Sequence, residues 1–299
     1  MRNELLQLIK KAIVYQYDLP HINKGIQKTI FSTDKDKCYL SENIDDIVKI
    51  IYNSIVEYSF NEFDITGKEY ETLHAVALQT KLKYDESKSE EVKLRYGFFG
   101  EVLLYAILYV HFKSKPLISR GYFYNPLENS ETKGYDSYHL IENDKQVELW
   151  FGEVKFHEKY TSGINSALGN IEKAISDDYF KRNILALSGR KKDFNYKGSK
   201  IESIINEWEN NPLINIVKEV EKHKIKLIYP IMLIYESSSS DYDSDIQKVP
   251  EYIFANYESK KFNLSIGYTI FFVLLPLKEV KRVKQEVIKW IESKKPLMS

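Results

Sequence analysis

Apolar side chains recur along this chain with two periods, and the switches between them mark out the elements. Leu5, Leu6, Ile9 and Ile13 fall at helical spacing. Pro20 ends that pattern. The run Ser-Glu-Asn-Ile-Asp-Asp at 41–46 predicts a helix start, with acids in the first turn, and the helix reaches about Tyr58. A second helix is predicted after Gly67, from Glu69 to about Tyr84. The polar stretch 85–89 then reads as a linker. It sets the expected boundary between a helical N-terminal region, 1–88, and a main domain, 89–299.

The main domain mixes both periods. A long helix is expected over about 90–112, with Leu94, Phe98, Glu101, Tyr105 and Leu108 on one face. Strands are expected over 118–125 and 134–141, and Asn143-Asp144 turns the chain into a third, 148–157. Helices follow at about 166–176, 201–210 and 213–221. The apolar stretch 226–235 reads as a buried strand, although Pro230 points to an edge or a bulge. An acidic, serine-rich loop at 237–245, a strand at 265–275 and an exposed helix at 278–294 complete the pattern. A chain of 299 residues suffices for one large α/β domain or two small ones.

Charge narrows the function classes. Lys+Arg and Asp+Glu both number 43, so the chain does not coat nucleic acid by net charge alone. A local basic run does occur between Lys181 and Lys200, and Arg190, Lys191 and Lys192 are its candidate DNA contacts. The ordinary reading of such a run is a solvated face. The single cysteine, Cys38, excludes an internal disulfide and a CxxC metal site, and fits a reducing cytosol. The longest apolar run, 266–277, is too short to span a bilayer, so a soluble, cytoplasmic protein is expected. There is no GxxxxGK[ST] loop, since Gly198-Ser199-Lys200 has the wrong order, and no nucleophile elbow.

The candidate chemistry centres on 148–157. Side chains alternate along a strand, so Leu149, Phe151, Glu153, Lys155 and His157 share one face, and Trp150, Gly152, Val154 and Phe156 the other. An acid and a lysine thus project together from an apolar strand. Such charges are costly to bury unless paired or bound to a metal, and a simple Glu153–Lys155 pair on a solvated face is the bland reading. A hairpin brings Asp136 toward Glu153. Glu101 interrupts the apolar stripe of its helix, flanked by Gly97 and Gly100; close packing explains the glycines as well as an inward carboxylate does. His139 and His157 read as partly buried strand histidines.

A helix bearing Glu101, an acid opening a strand at Asp136, and Glu153-Val154-Lys155 on the next strand resemble the layout of PD-(D/E)xK nucleases. Tyr135 stands where the family's proline would be. The resemblance implies a restriction-endonuclease-like α/β core, with a mixed central sheet flanked by helices. Its chemistry suits the residues. Asp136 and Glu153 can hold Mg²⁺ or Mn²⁺, and Lys155 can orient water or stabilise developing negative charge. A degenerate fold that binds DNA or a partner without cutting is the competing class. Three stretches, Arg95–Glu101, Gly134–His139 and Glu148–Lys155, further resemble HamA, the nuclease subunit of the Hachiman anti-phage system. That resemblance covers about 90–180. It implies catalytic roles for Asp136, Glu153 and Lys155, with Glu101 beside them, and a HamB-like helicase as a partner that restrains the nuclease until DNA is sensed.

Overall fold

The computed structural model describes residues 1–18, 37–41, 43–119, 124–125, 130–131, 134–142, 146–188, 200–211, 215–237, 242–257 and 259–298. Helix α1 (Asn3–Ala12) leads into β1 (Val14–Asp18), and β2 (Lys37–Leu40) precedes α2 (Ile44–Ser59). Next come α3 (Glu62–Ile65), α4 (Tyr70–Val76) continued by a π-helical turn over Ala77–Lys81, α5 (Glu90–Lys93) and α6 (Phe98–Val110). The strands β3 (Lys115–Pro116), β4 (Tyr124–Asn125), β5 (Ser130–Glu131), β6 (Ser137–Glu142) and β7 (Val147–Phe156) follow. Helices α7 (Tyr160–Ala174), α8 (Asp177–Ser188), α9 (Lys200–Asn210) and α10 (Ile216–Lys222) precede β8 (Ile225–Glu236). Then α11 (Tyr242–Tyr257) connects to β9 (Tyr268–Leu277), which is followed by α12 (Val280–Glu292).

Among the described residues, seven strands form one mixed sheet in the order β1-β2-β9-β8-β7-β6-β3. The run β2, β9, β8, β7 is parallel, whereas β1 and β6 are antiparallel to their neighbours. Parallel strands need crossover connections, which α7–α10 and α11 supply. Being covered on both faces, β8 and β9 are nearly continuous apolar runs. One face buries Leu149, Phe151, Leu227, Tyr229 and Ile231 under α7. The other buries Trp150, Val154, Ile228 and Met232 with side chains of α2, α6 and α12.

Several expectations change in three dimensions. The N-terminal region is not purely helical: β1 and β2 extend the sheet beyond β9. Ile47, Ile51 and Ile55 of α2 share a core with Leu104, Phe271 and Val283, so the hydrophobic core does not divide near residue 88. The helix expected over 90–112 is two helices. Arg95 and Tyr96 donate backbone bonds to carbonyls only three residues back, and α6 restarts at Phe98. Helix α12 is not exposed all round: Val280, Val283, Val287, Ile288 and Ile291 form a buried stripe.

The strand expected at 118–125 is present only at Tyr124–Asn125 among the described residues. Helix α11 begins at Tyr242, inside the expected acidic loop, and carries Pro250 within it, which hid the helix from the sequence. Pro20, the 143–144 turn and residues 238–241 lie outside the described residues. Among those described, no helix is long and apolar enough to cross a membrane.

Pro230 is also not at an edge. It lies in β8, between β7 and β9. The β7–β8 ladder pairs Trp150 with Ile228 and Glu153 with Ile231, omitting the step between them without a register shift. Gly152 faces that step. A Cβ there would lie 2.7 Å from Pro230 Cγ, so the absent side chain makes room for the proline ring. A central strand tolerates this proline because its missing N–H falls where the ladder lapses.

Candidate active site

The last pair between β6 and β7 is Ser137 with Gly152, so β7 runs on past its antiparallel neighbour. Asp136 finishes the edge. Its N–H donates to the Gly152 carbonyl at 2.8 Å, and its Oδ2 accepts the Val154 N–H at 2.9 Å. Ser137 Oγ accepts the Gly152 N–H at 3.1 Å. A carboxylate thus stands where the next strand residue would be.

Glu153 and Lys155 point to the α7 side. Glu153 Oε1 lies 2.5 Å from Lys155 Nζ, and the two side chains are 14% and 19% exposed. The pair is therefore neither a solvated surface bridge nor fully enclosed. Glu153 Oε2 accepts a 2.7 Å bond from the Tyr229 hydroxyl. Tyr229 is buried, and its pKa is held well above the ordinary phenol value by burial, then by the Glu153 charge. Helix α7 comes close here at Gly163, where a Cβ would lie 3.6 Å from Lys155 Cβ.

Glu101 lies on the other side of the sheet. Gly100 packs on Val154, whose side chain faces opposite to Glu153; a Cβ on Gly100 would lie 3.1 Å from Val154 Cγ2. Glu101 itself accepts a hydrogen bond from Tyr58 of α2. Asp136, Glu153 and Lys155 therefore gather at one point of β7, and Glu101 stands on the α6 side of the sheet. Helix α12 contributes Lys284, whose Nζ donates to the carbonyls of Phe156 at 3.1 Å and Leu94 at 3.4 Å. Burial holds its pKa below that of an ordinary lysine.

One residue at this site was missed from the sequence, Tyr229, and so was the inward turn of Lys284 at the end of β7. The available signal for Tyr229 was a phenol beside a proline in an otherwise aliphatic strand. Lys284 looked like one more surface lysine.

His139 is buried against Ser114, its Nδ1 3.0 Å from Oγ, and burial lowers its pKa to about 4. His157 lies just beyond β7 and is exposed. His223 meets Glu207 and Glu219. Among the described residues these three alone form a set of His, Cys, Asp or Glu with ligand atoms within 4.8 Å of one another. Lys222 already bridges both carboxylates, at 2.8 and 3.2 Å, so the cluster closes as ion pairs. Arg190, Lys191 and Lys192 lie outside the described residues; Lys181 and Arg182, earlier in the basic run, are exposed on α8.

A comparison with curated proteins finds no match. A family model described as HamA matches residues 8–291. The matched span runs from α1 to α12 and takes in every residue of the site described above. By that match the chain belongs to the HamA family and is a component of Hachiman defence.

Proposed function

We propose that the chain is the nuclease of that defence system, a metal-dependent phosphodiester hydrolase acting on DNA, with a PD-(D/E)xK-like core. The observation that carries the reading is the convergence at β7: Asp136 bound to the Val154 N–H, and Glu153 paired with Lys155 on the adjacent residues. Asp136 and Glu153 would hold Mg²⁺ or Mn²⁺, hard cations that prefer carboxylate oxygens. Such a cation, when bound, makes water a better nucleophile at neutral pH and polarises the phosphate. Lys155 is a compact, strongly hydrated charge on a flexible stem. Its role is to exchange Glu153 for the phosphate, orient the attacking water and stabilise negative charge as it develops. Glu101 serves as a supporting carboxylate from the α6 side. Arg190, Lys191 and Lys192 are the proposed contacts to the DNA backbone.

Control falls to a HamB-like helicase. The sequence carries no GxxxxGK[ST] motif. The helicase would dock partly on residues 1–88 and hold the nuclease off until it engages DNA, a population shift set by differential binding. Truncating that region would remove a large part of a shared core, so docking is tested on the full chain. Hydrogen exchange with and without the helicase is expected to show new protection within 1–88.

The deciding experiment mixes plasmid DNA with the purified full chain, with and without the helicase. The free chain is expected to cut in Mg²⁺ or Mn²⁺ and not in EDTA. No metal-dependent cutting in any arm would leave a binding module without catalysis. A free chain no more active than the resting complex would end the restraint model.

A further inference from the structure

Glu153 has two oxygens, and the structure gives each a different partner. Lys155 Nζ is 2.5 Å from Oε1, and the Tyr229 hydroxyl is 2.7 Å from Oε2. Lys155 belongs to the same strand and is partly open to solvent. Tyr229 comes from β8 and is 1% exposed. A buried hydroxyl is costly unless it is bonded, and phenylalanine would fill the same space at no such cost. The hydroxyl's partner here is the site carboxylate.

The surroundings fix Tyr229 closely. Pro230 follows it and seats its ring in the gap that Gly152 leaves, immediately before Glu153. The backbone of β8 is thereby held against β7 at this step. The Tyr229 ring packs edge-on to Tyr135, centroids 5.8 Å apart, and Tyr135 directly precedes Asp136. Tyr135 is anchored in turn by its hydroxyl, 2.8 Å from the Ala174 carbonyl of α7. One tyrosine thus touches the neighbour of one carboxylate and bonds the other.

We infer that Tyr229 is a positioning residue for Glu153, holding one carboxylate oxygen so that the other is presented to Lys155 and to an incoming divalent cation. The inference rests on the nuclease reading for the use to which Glu153 is put. An ordinary phenol is protonated through the neutral range, so the hydroxyl remains a donor. A donor fixed behind a metal-binding carboxylate limits its rotation, and loss of such a partner weakens metal binding about 10- to 100-fold.

The test titrates Mn²⁺ into the metal-free full chain by calorimetry, comparing wild type, Tyr229→Phe and Tyr52→Phe. Tyr52 is a matched control: a buried phenol whose hydroxyl bonds the Lys295 carbonyl at 2.6 Å, on the other face of the sheet. Tyr229→Phe is expected to weaken Mn²⁺ binding about 10- to 100-fold, while Tyr52→Phe binds as wild type. On DNA, Tyr229→Phe should need more Mn²⁺ for half-maximal rate and recover much of its kcat at saturation. Both variants should melt within a few degrees of wild type. Wild-type affinity in Tyr229→Phe, equal weakening in both variants, or a much larger loss of melting temperature in Tyr229→Phe alone would overturn the assignment. So would a wild-type chain that takes up no Mn²⁺ removable by Glu153→Gln. If Mn²⁺ binds but DNA is never cut, the nuclease reading fails, and the affinities still judge Tyr229.

Discussion

Two glutamate ion pairs sit on opposite faces of the sheet, and they are built for different ends. On the α2 face, Glu57 Oε1 meets Arg2 Nε at 3.0 Å, with side chains 2% and 9% exposed. The guanidinium also donates to the carbonyls of Asn53 and Met298 and lies 4.3 Å from the Tyr70 ring centre. Residues 2 and 298 are thereby tied to one helix. On the α7 face, Glu153 meets Lys155, a point charge without a rigid fork, beside a stretch of β7 that β6 does not cover. A planar donor set spread over several acceptors locks structure. A lysine beside an open strand edge can change partners. Residue type alone would have ranked the two pairs alike; saturation and access separate them.

The sharpest way to break this contrast is to remove each acid. Glu57→Ala leaves a nearly buried guanidinium without its carboxylate and is expected to cost about 3–5 kcal/mol, read by urea unfolding. Glu153→Ala strips the buried Tyr229 hydroxyl of its acceptor but leaves a lysine that can turn to water, so a smaller cost of about 1–3 kcal/mol is expected in the same assay. Equal losses would erase the distinction. Activity should run the other way. Glu153→Ala and Lys155→Ala are each expected to lower DNA cleavage by about 10²–10³, with folded, monodisperse protein. Asp136→Asn should weaken Mg²⁺ dependence as well as rate, and wild-type cutting by all three would dissolve the site.

Smaller effects sharpen the picture. Gly152→Ala would place a Cβ 2.7 Å from Pro230 Cγ, 2.8 Å from Ser137 Oγ and 3.0 Å from the Pro230 carbonyl oxygen. A cost of about 1–3 kcal/mol is expected, and a neutral result would show that the two central strands can part there. Acid should destabilise through His74, His111 and His139, each brought by burial to a pKa of about 4. The unfolded chain takes up these protons near pH 6.5, and the folded chain only near 4. Stability is therefore at its full value above about pH 6.5 and falls as the pH drops toward 4, checked by melting across that window. Substituting Arg190, Lys191 and Lys192 together should weaken DNA binding on every sequence alike. It should also flatten the log–log salt dependence by about 0.9 per lost phosphate contact; an unchanged slope would return them to plain surface.

Much of this was readable in the chain, for reasons of period and polarity. A ten-residue strand with an acid and a lysine two apart cannot place them on different faces, so the shared face of Glu153 and Lys155 followed from geometry alone. The antiparallel pairing that brings Asp136 to the Glu153 strand was also expected, although its bond falls on the Val154 N–H. The run 41–46 with its acids announced α2, and the structure makes Asn43 its cap, the side chain accepting from the Asp45 N–H. What could not be read depended on residues distant in sequence. β1 and β2 are too short to show a period and exist as sheet because β9 offers them an edge. Pro230 argues against a central strand until Gly152 is placed opposite it.

The sequence by itself determined which residues are able to do chemistry and, through strand alternation, which of them point the same way. Local backbone geometry is dictated by neighbours in the chain, and that information is present in the chain. Only the tertiary structure decided which partner each charge has: Arg2 from the first turn and Met298 near the other terminus for Glu57 and its helix, Tyr229 from β8 for Glu153, Tyr58 from α2 for Glu101. Those choices belong to packing. A buried carboxylate takes whichever donor the fold brings within about 3 Å, and in this protein the donors come from elements 43 to 76 residues away.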